Sequence, residues 1–142
     1  MKTLQELLAN TYALLVKTHN YHWNVVGEEF FDLHQVFEEQ YTYLFSLTDE
    51  IAERIRAKDE FVPASLQLFA EQQSLSEPSN SKNSRDLVQD LYESYEKIIA
   101  MQKELISESL EQKDYATSDF VTKTLKDFEK TAWMLRSKLY KE

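Results

Sequence analysis

Residues 32–58 read DLHQVFEEQYTYLFSLTDEIAERIRAK, with no glycine or proline and with apolar residues recurring at helical intervals. On a wheel of ~100° per residue, Leu33, Phe37, Leu44, Ile51 and Ile55 share a narrow arc, the mark of a face packed into a core. Glu39, Glu50 and Arg54 fall roughly opposite and predict a solvent face. The pattern gives a helix from about Leu33 to Lys58, with Asp32 as its cap. One long helix with one apolar stripe needs other helices to cover it.

They are found on both sides. Upstream, Thr3 is placed to cap a first helix, and Glu6 completes a capping box. Leu4, Leu7, Leu8, Leu14, Leu15 and His22 recur at helical spacing through LQELLANTYALLVKTHNYHWNVV, residues 4–26. Gly27, the only glycine, supplies the corner that ends this helix. Downstream, Pro63 opens a short helix to about Ser74, and SEPSNSKNS, residues 76–84, is loop composition. Ser84 caps a third long helix, from Arg85 to about Gln112, with Leu87, Leu91, Tyr95, Ile98 and Leu105 on its stripe. After a turn at Lys113–Asp114, the fourth runs from about Tyr115 to Tyr140 on Val121, Leu125, Phe128, Ala132, Leu135 and Leu139. No internal repeat or low-complexity tract interrupts them. The fold class is all-α: a four-helix bundle with a short extra helix in the long crossover between its second and third helices.

Composition agrees and excludes alternatives. The chain has 142 residues, with one Gly and two Pro, enough for one domain spanning 1–142 but too few turn residues for a β-sandwich or barrel. With no cysteine, neither disulfides nor thiolate ligands are available. No apolar signal core opens MKTLQELLAN, and no run is long enough to span a bilayer, which predicts a cytoplasmic protein with no membrane partner. The net charge of −9 opposes nucleic acid. Residues 1–10 carry one lysine, Lys2, and the terminal RSKLYKE is only modestly basic.

On the second helix, His34, Glu38, Asp49 and Glu53 occupy an arc about 100° wide beside the core stripe. His34/Glu38 and Asp49/Glu53 are i,i+4 pairs, each able to offer two ligand atoms to one ion. Taken singly, each carboxylate reads as a solvated charge; the pattern counts jointly. Glu38 and Asp49 stand ~16 Å apart along the helix, beyond the reach of one ion. Either the pairs are unrelated, or a second copy of the helix crosses antiparallel in a two-fold dimer and each site takes ligands from both chains. His22, before the Gly27 corner, can fold back beside His34. Two imidazoles and three carboxylates without a thiolate suit Fe, Mn or Zn.

KTHNYHWNVVG (17–27), FFDLHQVFEEQY (30–41), DEIAERIR (49–56) and EKTAWMLRS (129–137) resemble the Dps family of dodecameric miniferritins, over essentially the whole chain. The resemblance implies a ferritin-like bundle, built as two-fold dimers into a hollow 12-mer with tetrahedral symmetry. It implies ferroxidase centres at two-fold interfaces, with His22, His34 and Glu38 from one subunit and Asp49 and Glu53 from its partner. Many members carry Asp where this chain has Glu38. It further implies that Fe(II) is oxidised, preferentially by hydrogen peroxide, and stored as Fe(III) mineral. Trp23 matches a tryptophan beside the site, an electron donor or radical sink; Tyr21 is a weaker candidate, and His19 is read as packing or capping. Acidic three-fold pores of the family place Asp114 and Asp119 at an iron-access pore, with Lys123 a basic departure. Two other readings compete: a DNA-binding, nucleoid-protecting Dps, which the missing lysine-rich extension argues against, and a structural helical oligomer with a vestigial metal site, which five ligand-capable positions argue against.

Overall fold

The computed structural model describes residues 3–141; Lys2 lies outside them. Among these residues the chain forms α1 (Leu4–Asn24), α2 (Phe30–Ala57), α3 (Leu66–Gln72), α4 (Ser84–Glu111) and α5 (Tyr115–Lys138), with no strand. α1 packs on α2 and α4, α4 packs on α5, and the short α3 lies against α1. The expected all-α bundle with a helix in its crossover is what the chain forms.

The predicted stripes form the core. Leu14, Phe37, Leu44, Ile51, Leu91, Ile98, Val121 and Phe128 are fully buried, and apolar burial of this kind is the main drive to fold. Contacts at both ends run α2 antiparallel to α5. Lys58 near the end of α2 pairs with Asp114 before α5, while Lys138 at the end of α5 pairs with Glu29 before α2. The crossover is pinned to α1: Ser74 N–H donates to Asn10 Oδ1 at 2.9 Å, and Phe69 of α3 stacks on Tyr12 at 4.5 Å.

Helix ends differ from the sequence expectation by a few residues, each for a local reason. Thr3 Oγ1 accepts from Glu6 N–H, as expected of the cap. α1 stops at Asn24, before Val25–Val26, because Val25 is already extended (φ −62°, ψ 137°). Gly27 is the corner itself, at φ +103°, a backbone state that side chains with a Cβ avoid. No atom lies within 4 Å of where a Cβ would sit, so the need for glycine is conformational rather than steric. α2 begins at Phe30, which puts Asp32 in its first turn and not at the cap. α3 begins at Leu66 because Ser65, and not Pro63, offers the capping oxygen, accepting from Leu68 N–H at 3.1 Å. Asn83 caps α4 by the same chemistry, accepting from Arg85 N–H, so Ser84 is the first helical residue.

Candidate metal centre

The corner brings His22 and His34 face to face. Their rings stack with centroids 3.8 Å apart and 15° between planes. His22 Nδ1 is 2.7 Å from the His34 carbonyl oxygen, and His34 Nδ1 is 2.7 Å from the His22 carbonyl oxygen. A carbonyl oxygen only accepts, so each Nδ1 carries a proton and donates it. The His22 carbonyl is free for this because α1 ends two residues later, leaving its last carbonyls without helical partners. The reciprocal bonds fix both rings and leave each Nε2 as the ring nitrogen available to a ligand.

Glu38, one turn after His34, brings Oε1 to 4.0 Å from His22 Nε2, a separation that one ion at ~2.1 Å from each atom can bridge. The His22 side chain is 9% exposed and that of Glu38 is 58% exposed. The imidazole is thus held by the protein, while the carboxylate reaches outward.

Asp49 and Glu53 are also exposed, at the opposite end of α2. They line an open cleft with Phe45, Thr48, Ala52 and Phe69. Among the described residues, no three His, Asp or Glu gather into one metal site. Within one chain the structure pairs His22 with His34 and brings Glu38 to 4.0 Å from His22, and it leaves Asp49 and Glu53 apart, as the ~16 Å helix rise requires.

The remaining candidates lie apart from the histidine pair. Trp23 is 63% exposed and makes no ring contact with His22 or His34 among the described residues; it packs on His19, centroids 3.9 Å apart. Adjacent helical residues point ~100° apart, so sequence neighbours of a ligand are not its spatial neighbours. Asp114 is committed within its own chain. It caps α5 by accepting from Thr117 N–H, pairs with Lys58 at 2.7 Å and lies 3.5 Å from Arg54. Burial alone would raise its carboxyl, but hydrogen bonds from Lys58 and Thr117 and the Lys58 charge bring it down to about 2. Arg54, expected on the solvent face, also donates from Nε to Thr117 Oγ1 at 3.0 Å, so it ties α2 to α5. Asp119 is exposed and faces Lys123 at 3.7 Å.

One group that the sequence reading passed over lies against the histidine pair. Tyr41 presents its ring edge to His22, centroids 5.1 Å apart, and stacks on His19 at 4.4 Å. Its spacing of seven from His34 on α2, two helical turns, was the available signal.

The ferritin-like domain model matches residues 1–141. DNA protection during starvation protein 2 of Bacillus anthracis is 34% identical over 96% of this chain and 94% of its own length. An uncharacterized low temperature-induced protein of Nostoc sp. is 37% identical over 94% of this chain and 76% of its own length. Among solved structures, the Dps protein of Vibrio cholerae O1, described as a member of a broad superfamily of ferritin-like diiron-carboxylate proteins, superposes with a TM-score of 0.93. Its identity is 33%, and the match covers 96% of this chain and 86% of that one.

Proposed function

This chain belongs to the Dps family of ferritin-like proteins, and from that premise we propose that it is an iron-storing, iron-detoxifying miniferritin with ferroxidase activity. The carrying observation is the reciprocal His22/His34 lock, which fixes two imidazoles with Glu38 near His22 and, among the described residues, no third metal-binding group to complete a site. Two-fold pairing supplies the rest. Asp49 and Glu53 of a second copy meet His22, His34 and Glu38 of the first, giving two equivalent sites per dimer. Large exposed apolar side chains, Phe45 at 65% lining that cleft, Phe61 at 82% and Leu66 at 86%, are surface that an oligomer would cover. The dimers build the hollow 12-mer of the family.

Iron is the substrate and the cargo. Each two-ion event consumes one peroxide: 2 Fe²⁺ + H₂O₂ + 2 H⁺ gives 2 Fe³⁺ + 2 H₂O, so no hydroxyl radical is released, and the ferric product is stored as mineral. Imidazole and carboxylate ligands, without thiolate, suit iron in both oxidation states. Asp119 remains the candidate for a pore carboxylate, since Asp114 is held by Lys58 and Arg54. The protein works in the cytoplasm. Protection of DNA, the role printed in relatives' names, is here chemical: these 142 residues at −9 do not hold duplex DNA tightly. Retention of duplex by the iron-free protein in a gel shift at about 0.15 M salt would contradict that.

The deciding test is anaerobic. Fe²⁺ is loaded on the iron-free protein, hydrogen peroxide is added, and ferric absorbance is followed against a protein-free control. Fast oxidation with soluble iron supports the reading. Oxidation at the control rate, or a precipitate, points to the structural oligomer with a vestigial site.

A further inference from the structure

The oxidisable ring in contact with the histidine pair is Tyr41, not Trp23. A chain of ring contacts links the pair to Trp23: Tyr41 edge-on to His22 at 5.1 Å, His19 stacked on Tyr41 at 4.4 Å, and Trp23 on His19 at 3.9 Å. His19 also lies 6.3 Å from His22, but an imidazole is a poor resting place for an electron hole, whereas a phenol or an indole is a good one. The helical repeat explains the order. His19 is three residues before His22 and four before Trp23, so it shares a face with both, while His22 and Trp23 diverge. The path ends at an indole that is 63% exposed.

We propose that Tyr41 is a redox-active residue of this site, the first electron donor to a half-filled centre, with His19 coupling it to Trp23 as the final donor. The inference rests on the ferroxidase reading. Hydrogen peroxide needs two electrons, and a site holding a single Fe²⁺ supplies one. The protein supplies the second: Fe²⁺ + H₂O₂ + H⁺ + Tyr41–OH gives Fe³⁺ + 2 H₂O + Tyr41–O•. Tyr41–O• then takes an electron from the Trp23 indole through His19 and a proton from water, while the exposed indole N–H loses its proton to water, which restores the phenol and leaves the radical on the indole. The Tyr41 hydroxyl has no hydrogen-bond partner among the described residues, so nothing there holds the phenoxyl radical in place. Substitution by phenylalanine for the same reason removes no structural bond.

The test uses the assembled protein with one Fe²⁺ per histidine pair, mixed anaerobically with hydrogen peroxide and freeze-quenched for electron paramagnetic resonance. Ring-deuterated tyrosine or tryptophan identifies the radical, and peptide mass spectrometry measures oxidised Trp23. The parent should give a tryptophan radical. Tyr41→Phe should lower Trp23 oxidation by about tenfold, corresponding to ~1.4 kcal/mol on the transfer barrier. His19→Leu should leave the radical on tyrosine. Parent-level Trp23 oxidation in Tyr41→Phe overturns the proposal, and so does the absence of any aromatic radical in a parent that oxidises iron rapidly. A parent no faster than the protein-free control removes the ferroxidase reading itself, and the relay with it.

Discussion

Lys17 and His22 stand five residues apart on α1, and the polar groups around them are finished to different degrees. Lys17, 2% exposed, places Nζ 3.0 Å from Ser94 Oγ, 3.2 Å from Ser76 Oγ and 3.2 Å from Asp90 Oδ2. Asp90 in turn accepts from the Tyr21 hydroxyl at 2.5 Å, and that hydroxyl accepts from Ser79 N–H at 2.7 Å. Burial, together with the Asp90 bond, pushes the Tyr21 phenol above its ordinary range. An ammonium has three donors, and here each finds an acceptor. Further along the helix, His22 and His34 satisfy their Nδ1 atoms on each other's carbonyls and leave both Nε2 atoms without a hydrogen bond among the described residues, with the exposed Glu38 near His22. A buried charge that is fully paired serves the fold; donor atoms held rigidly but left open serve a ligand. The two clusters are separable in experiment because one spends its polar groups inside the chain and the other does not.

The comparison is broken most forcefully at Asp90. Asp90→Ala strands a buried ammonium and should cost about 3–5 kcal/mol of stability, read as the midpoint of chemical unfolding; a loss near zero would mean that the cluster is not closed. The opposite signature is expected at Asp49, where Asp49→Ala should slow rapid iron oxidation by about 10–100-fold. The shell stays assembled, and stability stays within the roughly 0.5 kcal/mol typical of surface changes. Normal activity in that variant would remove Asp49 from the site.

Asp114 sharpens the contrast, because it is an acidic residue read as open that the structure closes. Its carboxyl lies at about 2 against an ordinary 3.8. A depressed carboxyl stabilises the fold above its unfolded value and loses that contribution as pH falls through its folded one. Asp114→Asn keeps a capping oxygen but not the charge. It should cost on the order of 1 kcal/mol at pH 7, after allowance for solvent screening. The gap to the parent should close between about pH 4 and pH 2, measured by thermal unfolding across that range. A cost that does not change with pH would assign the residue a capping role alone. The smallest expected effect is at Lys113, which sits at φ 60° after α4, where Asp114 N–H reaches back to Ser109 O at 2.8 Å. Lys113→Gly should raise stability by about 0.5–1 kcal/mol, and iron oxidation should not change.

The long helices were legible in the sequence because each carries its own apolar stripe, and Leu33 to Ile55 or Leu87 to Leu105 can be placed without knowing what they pack on. Helix starts were less so. Asp32 and Ser84 have capping chemistry, yet the backbone turns into helix at Phe30 and after Asn83, a choice made by the corner and loop geometry. Arg54 went to the solvent face because a wheel knows only its own helix, and Thr117 and Asp114 arrive from 60 residues away or more. In the site, His22 meeting His34 followed from the glycine between them. The reciprocal Nδ1 bonds did not, because they use carbonyls that any sequence has. The Trp23 assignment came from the family resemblance, whereas the Tyr41 ring contact with His22 is set by how α2 packs on α1, which one helix's pattern does not show.

The corner of residues 25–29 also acts as a ruler. Each residue added or removed there rotates everything after it by ~100° about the axis of α2, so the interval of twelve between His22 and His34 is itself part of the device. The connection at 73–83 between α3 and α4 follows both histidines in the chain and sets no such phase between them. In sorting further sequences by whether they have kept this stacked pair, the count of residues between the two histidines is therefore a stricter criterion than overall identity.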